Sequence, residues 1–178
     1  MGTIFSSFDM TDFWEPCDYA LDEYVGRPVD DALIRRTEQV LGYKLPPAYI
    51  EFMRFQNGGI PRRTMHRTKV RTTWAHDHIA ITGLYSIGDE KPCSLCGQFG
   101  SKLWLEEWGY PPIGVYFADC PSAGHDMVCL DYSECGPTGE PRVVHVDQEW
   151  DYKVVVLAEN FEMFIRGLED ASAFPQEF

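Results

Sequence analysis

The sequence predicts an α+β domain: a single, mainly antiparallel β-sheet packed against an N-terminal helical hairpin and a C-terminal helix. Three observations carry this. Between Ile113 and Glu149, three short apolar runs are separated by turn chemistry, as in consecutive antiparallel strands. Two amphipathic helical patterns precede that stretch and one follows it. Helices and strands also come in blocks rather than in strict alternation, which argues for α+β. A chain of 178 residues, 44% hydrophobic and 14% aromatic, is about one domain long and can fill a core.

In chain order, Asp30 is placed to cap a helix whose Leu33, Ile34, Thr37, Val40 and Leu41 share one face, with Gly42 as its stop. Leu45-Pro46-Pro47 opens a second helix, because proline is tolerated in a first turn. Tyr49, Phe52, Met53 and Gln56 line its face, and Asn57-Gly58-Gly59 ends it. His78 to Tyr85 is expected as one strand, and Ser101 as the cap of a short helix ending near Gly109 and Pro111. Strands are then predicted over Ile113 to Ala118, Asp126 to Tyr132 and Arg142 to Asp147. Asp119 to Gly124 supplies the first intervening turn, and Glu134 to Pro141, with two glycines and two prolines, the second. Tyr152 to Leu157 forms a last strand, and Asn160 caps a helix bearing Phe161, Phe164, Ile165 and Leu168. The tail from Ala171 to Phe178 is expected to fray or dock loosely.

The net charge is −13 and unevenly spread: residues 1–71 carry ten acidic and ten basic side chains, residues 72–178 carry 18 and five. The sheet half is therefore the acidic half. Such a surface repels nucleic acid and attracts basic partners, although acidic charge also simply keeps proteins soluble. The one basic run, Arg62 to Arg71, lacks interleaved aromatics and is expected to pair within the chain rather than bind phosphate. No apolar run is long enough for a membrane span and no secretion signal is visible, so a soluble, cytoplasmic protein is expected. Met1-Gly2 with Ser6 matches the short myristoylation pattern, which is common by chance.

Leu45-Pro46-Pro47-Ala48-Tyr49-Ile50-Glu51-Phe52-Met53 followed by Gln56-Asn57-Gly58-Gly59 resembles the second-helix signature of the SUKH superfamily, which includes the yeast Smi/Knr cell-wall regulators and many bacterial immunity proteins. Ile79 to Gly88, Pro112 to Ala118, Gly124 to Tyr132 and Val143 to Asp147 fit later pieces of that pattern in order. The resemblance spans about residues 28 to 170 of a single domain covering 1–178, with 1–27 as an N-terminal extension and 171–178 as a tail. It implies an α+β domain with one sheet and, for bacterial members, a non-catalytic role: binding a cognate toxin, often a nuclease. Because binding surfaces differ between members, it implies no particular site residues.

The chemical alternatives rest on cysteines and histidines. Cys93 and Cys96 form a CxxC, with Cys120 and His125 as further soft ligands, and together they define a metal-binding or thiol-dependent reading. No second closely spaced ligand pair exists, and Cys93 follows Pro92 in a loop, so reduced, incidental thiols are the plainer expectation. His76 and His78 could share a face. The pairs Asp77-His78 and His125-Asp126 are adjacent in sequence, which on a strand sends the side chains to opposite faces and builds no dyad. No nucleophile elbow, phosphate loop or dinucleotide fingerprint is present.

The expectation is therefore a non-catalytic binding module without cofactor or metal, resembling an immunity protein, whose partner is a basic toxin domain, with neither nucleic acid nor membrane as ligand. A Smi/Knr-type regulatory scaffold is the alternative binding role. The expected contact residues are acidic groups in the turns of the sheet half: Asp119, Asp126, Glu134, Glu140, Asp147, Glu149 and Asp151, some of them structural, with Asp126 and the neighbouring Asp131 expected to hold turns or strand ends. Trp150 and Tyr152 are the aromatic anchors, since interface energy concentrates in such side chains.

Overall fold

A computed structural model describes residues 3–175. Met1 and Gly2, on which the myristoylation pattern rests, and Gln176 to Phe178 lie outside the described residues. The elements are α1 (Asp18–Glu23), α2 (Asp31–Leu41), α3 (Pro47–Phe55), β1 (Met65–Arg67), β2 (His78–Ala80), β3 (Gly83–Leu84), α4 (Ser101–Glu106), β4 (Gly114–Asp119), β5 (Asp126–Asp131), β6 (Arg142–Asp147), β7 (Lys153–Ala158) and α5 (Phe161–Arg166). β3 to β7 form a five-stranded antiparallel sheet in sequence order, and β1 and β2 form a separate two-stranded ribbon.

The helix ends follow from their capping residues. The Asp30 carboxylate accepts the Leu33 N–H at 2.7 Å, and Gly42 closes α2 in the left-handed region. Asn160 accepts the Met163 N–H at 2.9 Å at the start of α5. Glu38 fastens the link between α2 and α3 by accepting the Leu45 N–H at 2.9 Å and the Lys44 ammonium at 3.0 Å. The apolar faces meet on the sheet. Tyr49 and Phe52 of α3 pack on Phe161 of α5 at 4.7 and 5.8 Å between ring centroids, and Phe117 of β4 packs on both Tyr49 and Phe161. Its neighbour Tyr116 packs instead on Tyr110, at the end of the α4 segment, so β4 is covered on both faces. This is why its burial is continuous rather than alternating.

Three expectations change: the strand over 78–85, the cap of the short helix and the N-terminal segment. The strand expected over 78–85 is split between two sheets: β2 pairs with β1, then the Thr82 N–H bonds to the Asp119 carbonyl at 2.8 Å and the chain crosses to β4. Gly83 permits the crossing, because a Cβ there would lie 2.2 Å from the Tyr24 ring. A single sheet is therefore joined by a second, small one. Ser101 is inside α4 rather than its cap, and its hydroxyl accepts the Tyr116 N–H of β4 at 3.1 Å. Residues of the 1–27 segment belong to the core: Phe5 and Phe13 flank Phe52 at 5.1 and 4.9 Å, Tyr24 is fully buried, and Glu51 accepts the N–H groups of Thr3, Ile4 and Phe5. The tail docks through Phe174, which packs on His78 at 4.3 Å and under the Arg67 guanidinium.

The signature residue Asn57 does more than stop a helix. Buried, it donates to the Arg27 and Ile87 carbonyls and accepts the Ile87 N–H at 2.7 Å, clamping the end of α3 to two distant segments. Gly58 beside it has φ +85°, and a Cβ would stand 2.7 Å from the Tyr24 carbonyl, so only glycine fits.

Candidate partner-binding face

Antiparallel register brings the β4–β5 and β6–β7 connections to one end of the sheet and the β5–β6 connection to the other. The acidic residues expected to contact a partner divide accordingly. At the first end, Asp126 and Asp147 lie opposite each other and are 3% and 0% exposed. Asp126 Oδ2 is 2.7 Å from His145 Nε2, while Asp147 accepts the Thr73 N–H and hydroxyl at 2.9 and 2.8 Å. Asp119 is half-buried, and both its oxygens accept from the Tyr24 hydroxyl at 2.8 Å. Burial pushes its carboxyl up to about 6 despite that bond. Asp119 and Asp147 are corrected from surface contacts to interior groups at strand ends, and Asp126 is an interior group at a strand end, the structural role expected for it beside that of a contact.

Glu149, Trp150, Asp151 and Tyr152 do come together. Gln148–Trp150 is a single 3₁₀ turn, followed by Asp151 and Tyr152 at φ +54° and +59°, consecutive left-handed residues that are not glycine. What holds this conformation is Tyr152, whose hydroxyl donates to the Trp108 carbonyl and whose ring packs on Tyr110 at 5.2 Å. Trp150 is left 40% exposed, with the Lys153 ammonium 4.9 Å from its ring centroid. His125 Nδ1 lies 2.5 Å from Glu149 and its ring meets Trp108 edge-on at 6.4 Å. Trp108, His125, Glu149, Trp150 and Asp151 thus form one aromatic and acidic surface, continued on the edge strand β7 by exposed Val154 and Val156.

Glu134 and Glu140 are exposed at the opposite end, roughly 17 Å of strand away. Glu134 bonds Arg142 at 3.1 Å, and Arg142 also bonds Asp131 of β5 at 2.8 Å. The nine expected contact residues therefore make two clusters and a buried set rather than one face.

The thiol and metal alternatives are rearranged as well. Burial pushes the Cys93 and Cys96 thiols up to about 12 and 11, the reverse of an activated nucleophile. Among the described residues, Cys93 and Cys96 do not join Cys120 and His125; the one group of three or more potential ligands is Cys120, Asp126 and His145. Asp77 and His78, expected on opposite faces, do pair, with Nδ1 2.8 Å from Oδ1, because Asp77 precedes β2 and is free of its pleat. With His76, Trp74 and Phe174 they line an open cavity of about 650 Å³. In the basic run, Arg67 bonds Glu169 of the acidic half at 2.9 Å, whereas Arg62 bonds Glu15 of the N-terminal segment at 2.8 Å.

His145, Trp108 and Thr73 were not among the expected functional residues. Alternation within Arg142 to Asp147 places His145 on the same side as Val143, a signal of burial legible in the sequence. Nothing local marks Trp108 or Thr73, whose hydrogen bonds to Tyr152 and Asp147 span 44 and 74 residues.

The chain is thus a small α+β domain whose central sheet is closed by helices, with an aromatic and acidic turn at one end. The sequence matches the SMI1 / KNR4 family (SUKH-1) over residues 28–167, and the chain belongs to that family. No curated protein matches it.

Proposed function

We propose that this SUKH-family domain is a non-catalytic immunity protein of the cytoplasm that binds and neutralises a cognate toxin through the face built by Trp108, His125, Glu149, Trp150 and Asp151. Family membership supports the class of role, since members are commonly immunity-type proteins. The observation that carries the choice of face is an exposed Trp150 between two carboxylates on a turn whose strained backbone is fixed by Tyr152. Pre-organised aromatic anchors lose little conformational entropy on binding, and flanking acids suit a basic partner such as a nuclease domain. No helix among the described residues is long and apolar enough to cross a membrane.

The test begins with recovery of the partner from the native source and its purification as a separate domain. The wild-type protein is expected to inhibit that domain stoichiometrically. Trp150→Ala should raise Kd about 30-fold, and Glu149→Gln with Asp151→Asn should lower the association rate and flatten its salt dependence. Unchanged affinity in both variants eliminates this face; absence of inhibition by the wild type eliminates the immunity role.

A further inference from the structure

We propose that Cys120, Asp126 and His145 form a buried site for a thiophilic divalent cation of the zinc type. Three successive strands supply them: Cys120 follows β4, Asp126 opens β5, and His145 stands in β6 opposite Val128. One sulfur, one carboxylate oxygen and one ring nitrogen lie within 4.8 Å of one another. All three residues are buried, so the cluster is not a chance grouping of mobile surface side chains.

The hydrogen bonding of the cluster is incomplete. Asp126 Oδ2 and His145 Nε2 satisfy each other, but Asp126 Oδ1 and His145 Nδ1 are buried with no hydrogen-bond partner among the described residues. Orphaned buried polar atoms are uncommon and costly, and such atoms beside a thiol are what a ligand set looks like. Sulfur, imidazole nitrogen and carboxylate oxygen together suit zinc and exclude the hard, all-oxygen preference of calcium or magnesium.

Charge points the same way. A dication with the Cys120 thiolate, the Asp126 carboxylate and a neutral His145 sums to zero charge, the state a dry interior tolerates best. The proton leaves the thiol as the metal–sulfur bond forms, so binding releases one proton to solvent.

The loop between Cys120 and Asp126 is already shaped to hold this arrangement. Ala123 and Gly124 are both left-handed, at φ +56° and +94°. The Ser122 hydroxyl accepts the Asp126 N–H at 3.1 Å, and the Tyr110 hydroxyl donates to the Gly124 carbonyl at 2.6 Å. A bound cation would cross-link β5 and β6 to the end of β4, one residue from His125. The site does not depend on the proposed toxin-binding role and stands or falls separately from it.

The test is cobalt(II) titration of the chelator-treated full-length protein, with zinc as competitor. About one equivalent should bind, with a thiolate-to-cobalt charge-transfer band in the near ultraviolet, and zinc should displace it and raise the melting temperature in a concentration-dependent way. Cys120→Ala should abolish the band and weaken affinity at least about tenfold, while Cys93→Ala with Cys96→Ala keeps both. His145→Gln provides the second variant should Cys120→Ala not fold. The proposal is overturned if the wild type shows no charge-transfer band, if the band survives in Cys120→Ala, or if His145→Gln binds cobalt as tightly as the wild type.

Discussion

At one end of the β5–β6 hairpin the register sets Asp126 against Asp147; at the other it sets Asp131 against Arg142. All three aspartates are buried, yet they are stabilised differently. Asp131 has a guanidinium at 2.8 Å and the Ser133 N–H at 2.9 Å. Burial alone would raise its carboxyl, but these bonds hold it below the usual carboxylate range. Asp126 has the imidazole of His145, and Asp147 the threonine of a distant loop, with no guanidinium bonded to either among the described residues. The acidic composition of this half of the chain therefore covers two situations: carboxylates settled by an arginine at one end, and carboxylates concentrated under the aromatic turn at the other. Charge counted along a sequence does not distinguish them; the residue across the ladder does.

The largest way to sharpen that contrast is His145→Leu, which leaves Asp126 buried without its partner. In chelator-containing buffer it should cost about 3–5 kcal/mol in urea denaturation, the penalty of an uncompensated interior charge. Converting Asp126 to Asn in the same chain should recover part of the loss, because a neutral amide no longer demands a counter-charge. An effect below about 1 kcal/mol would mean that water reaches this end of the sheet and that the contrast is one of geometry alone.

Asp119 gives the next effect, and its sign is opposite to that of Asp131. Its carboxyl titrates at about 6 against an ordinary 3.8, so the folded chain binds this proton more tightly than the unfolded chain. The resulting stabilisation is complete below about pH 4 and is lost as pH rises through 6, amounting to about 2–3 kcal/mol. Asp131, lowered in the fold, contributes above pH 4 and loses its contribution in acid. The stability difference between wild type and Asp119→Asn should consequently shift in favour of the variant between pH 4 and pH 7. A pH-independent difference would show that Asp119 is solvated despite its bond to Tyr24.

Much of this fold could be read from the chain, because its elements are locally specified. Asp30, Gly42 and Asn160 cap or stop helices through bonds to residues at most four positions away, and the strands around Val115, Leu130 and Val144 follow their apolar runs. What could not be read depends on distant partners. The split of residues 78–85 between two sheets requires the Tyr24 ring at Gly83, and the inclusion of Phe5 and Phe13 in the core requires Phe52. The candidate face was half legible: Glu149 to Tyr152 are contiguous in sequence, but Trp108 arrives through a long-range bond to Tyr152. The burial of Asp147 is not legible locally, because an acid beside a turn reads as solvent-facing and its cover, Thr73, is 74 residues away.

The smallest predicted effect is at the far end, and it is the one that tests the aromatic turn as the proposed binding face. Glu134 is exposed and shares Arg142 with the better-buried Asp131, so removing its charge leaves the stronger Arg142–Asp131 bond in place. Glu134→Gln with Glu140→Gln should therefore change stability by no more than about 0.5 kcal/mol, since exposed ion pairs contribute little. The same double variant removes two negative charges, as many as Glu149→Gln with Asp151→Asn does at the other end. If long-range attraction by total charge governed association with a basic partner, the two double variants would slow it equally. Because the aromatic anchors stand beside Glu149 and Asp151, the expected result is a clear fall in association rate for that pair and a change of less than about twofold for Glu134 with Glu140 at physiological salt, where screening acts within roughly 8 Å. Equal effects would assign binding to the diffuse acidic field of the sheet half rather than to the turn that carries Trp150.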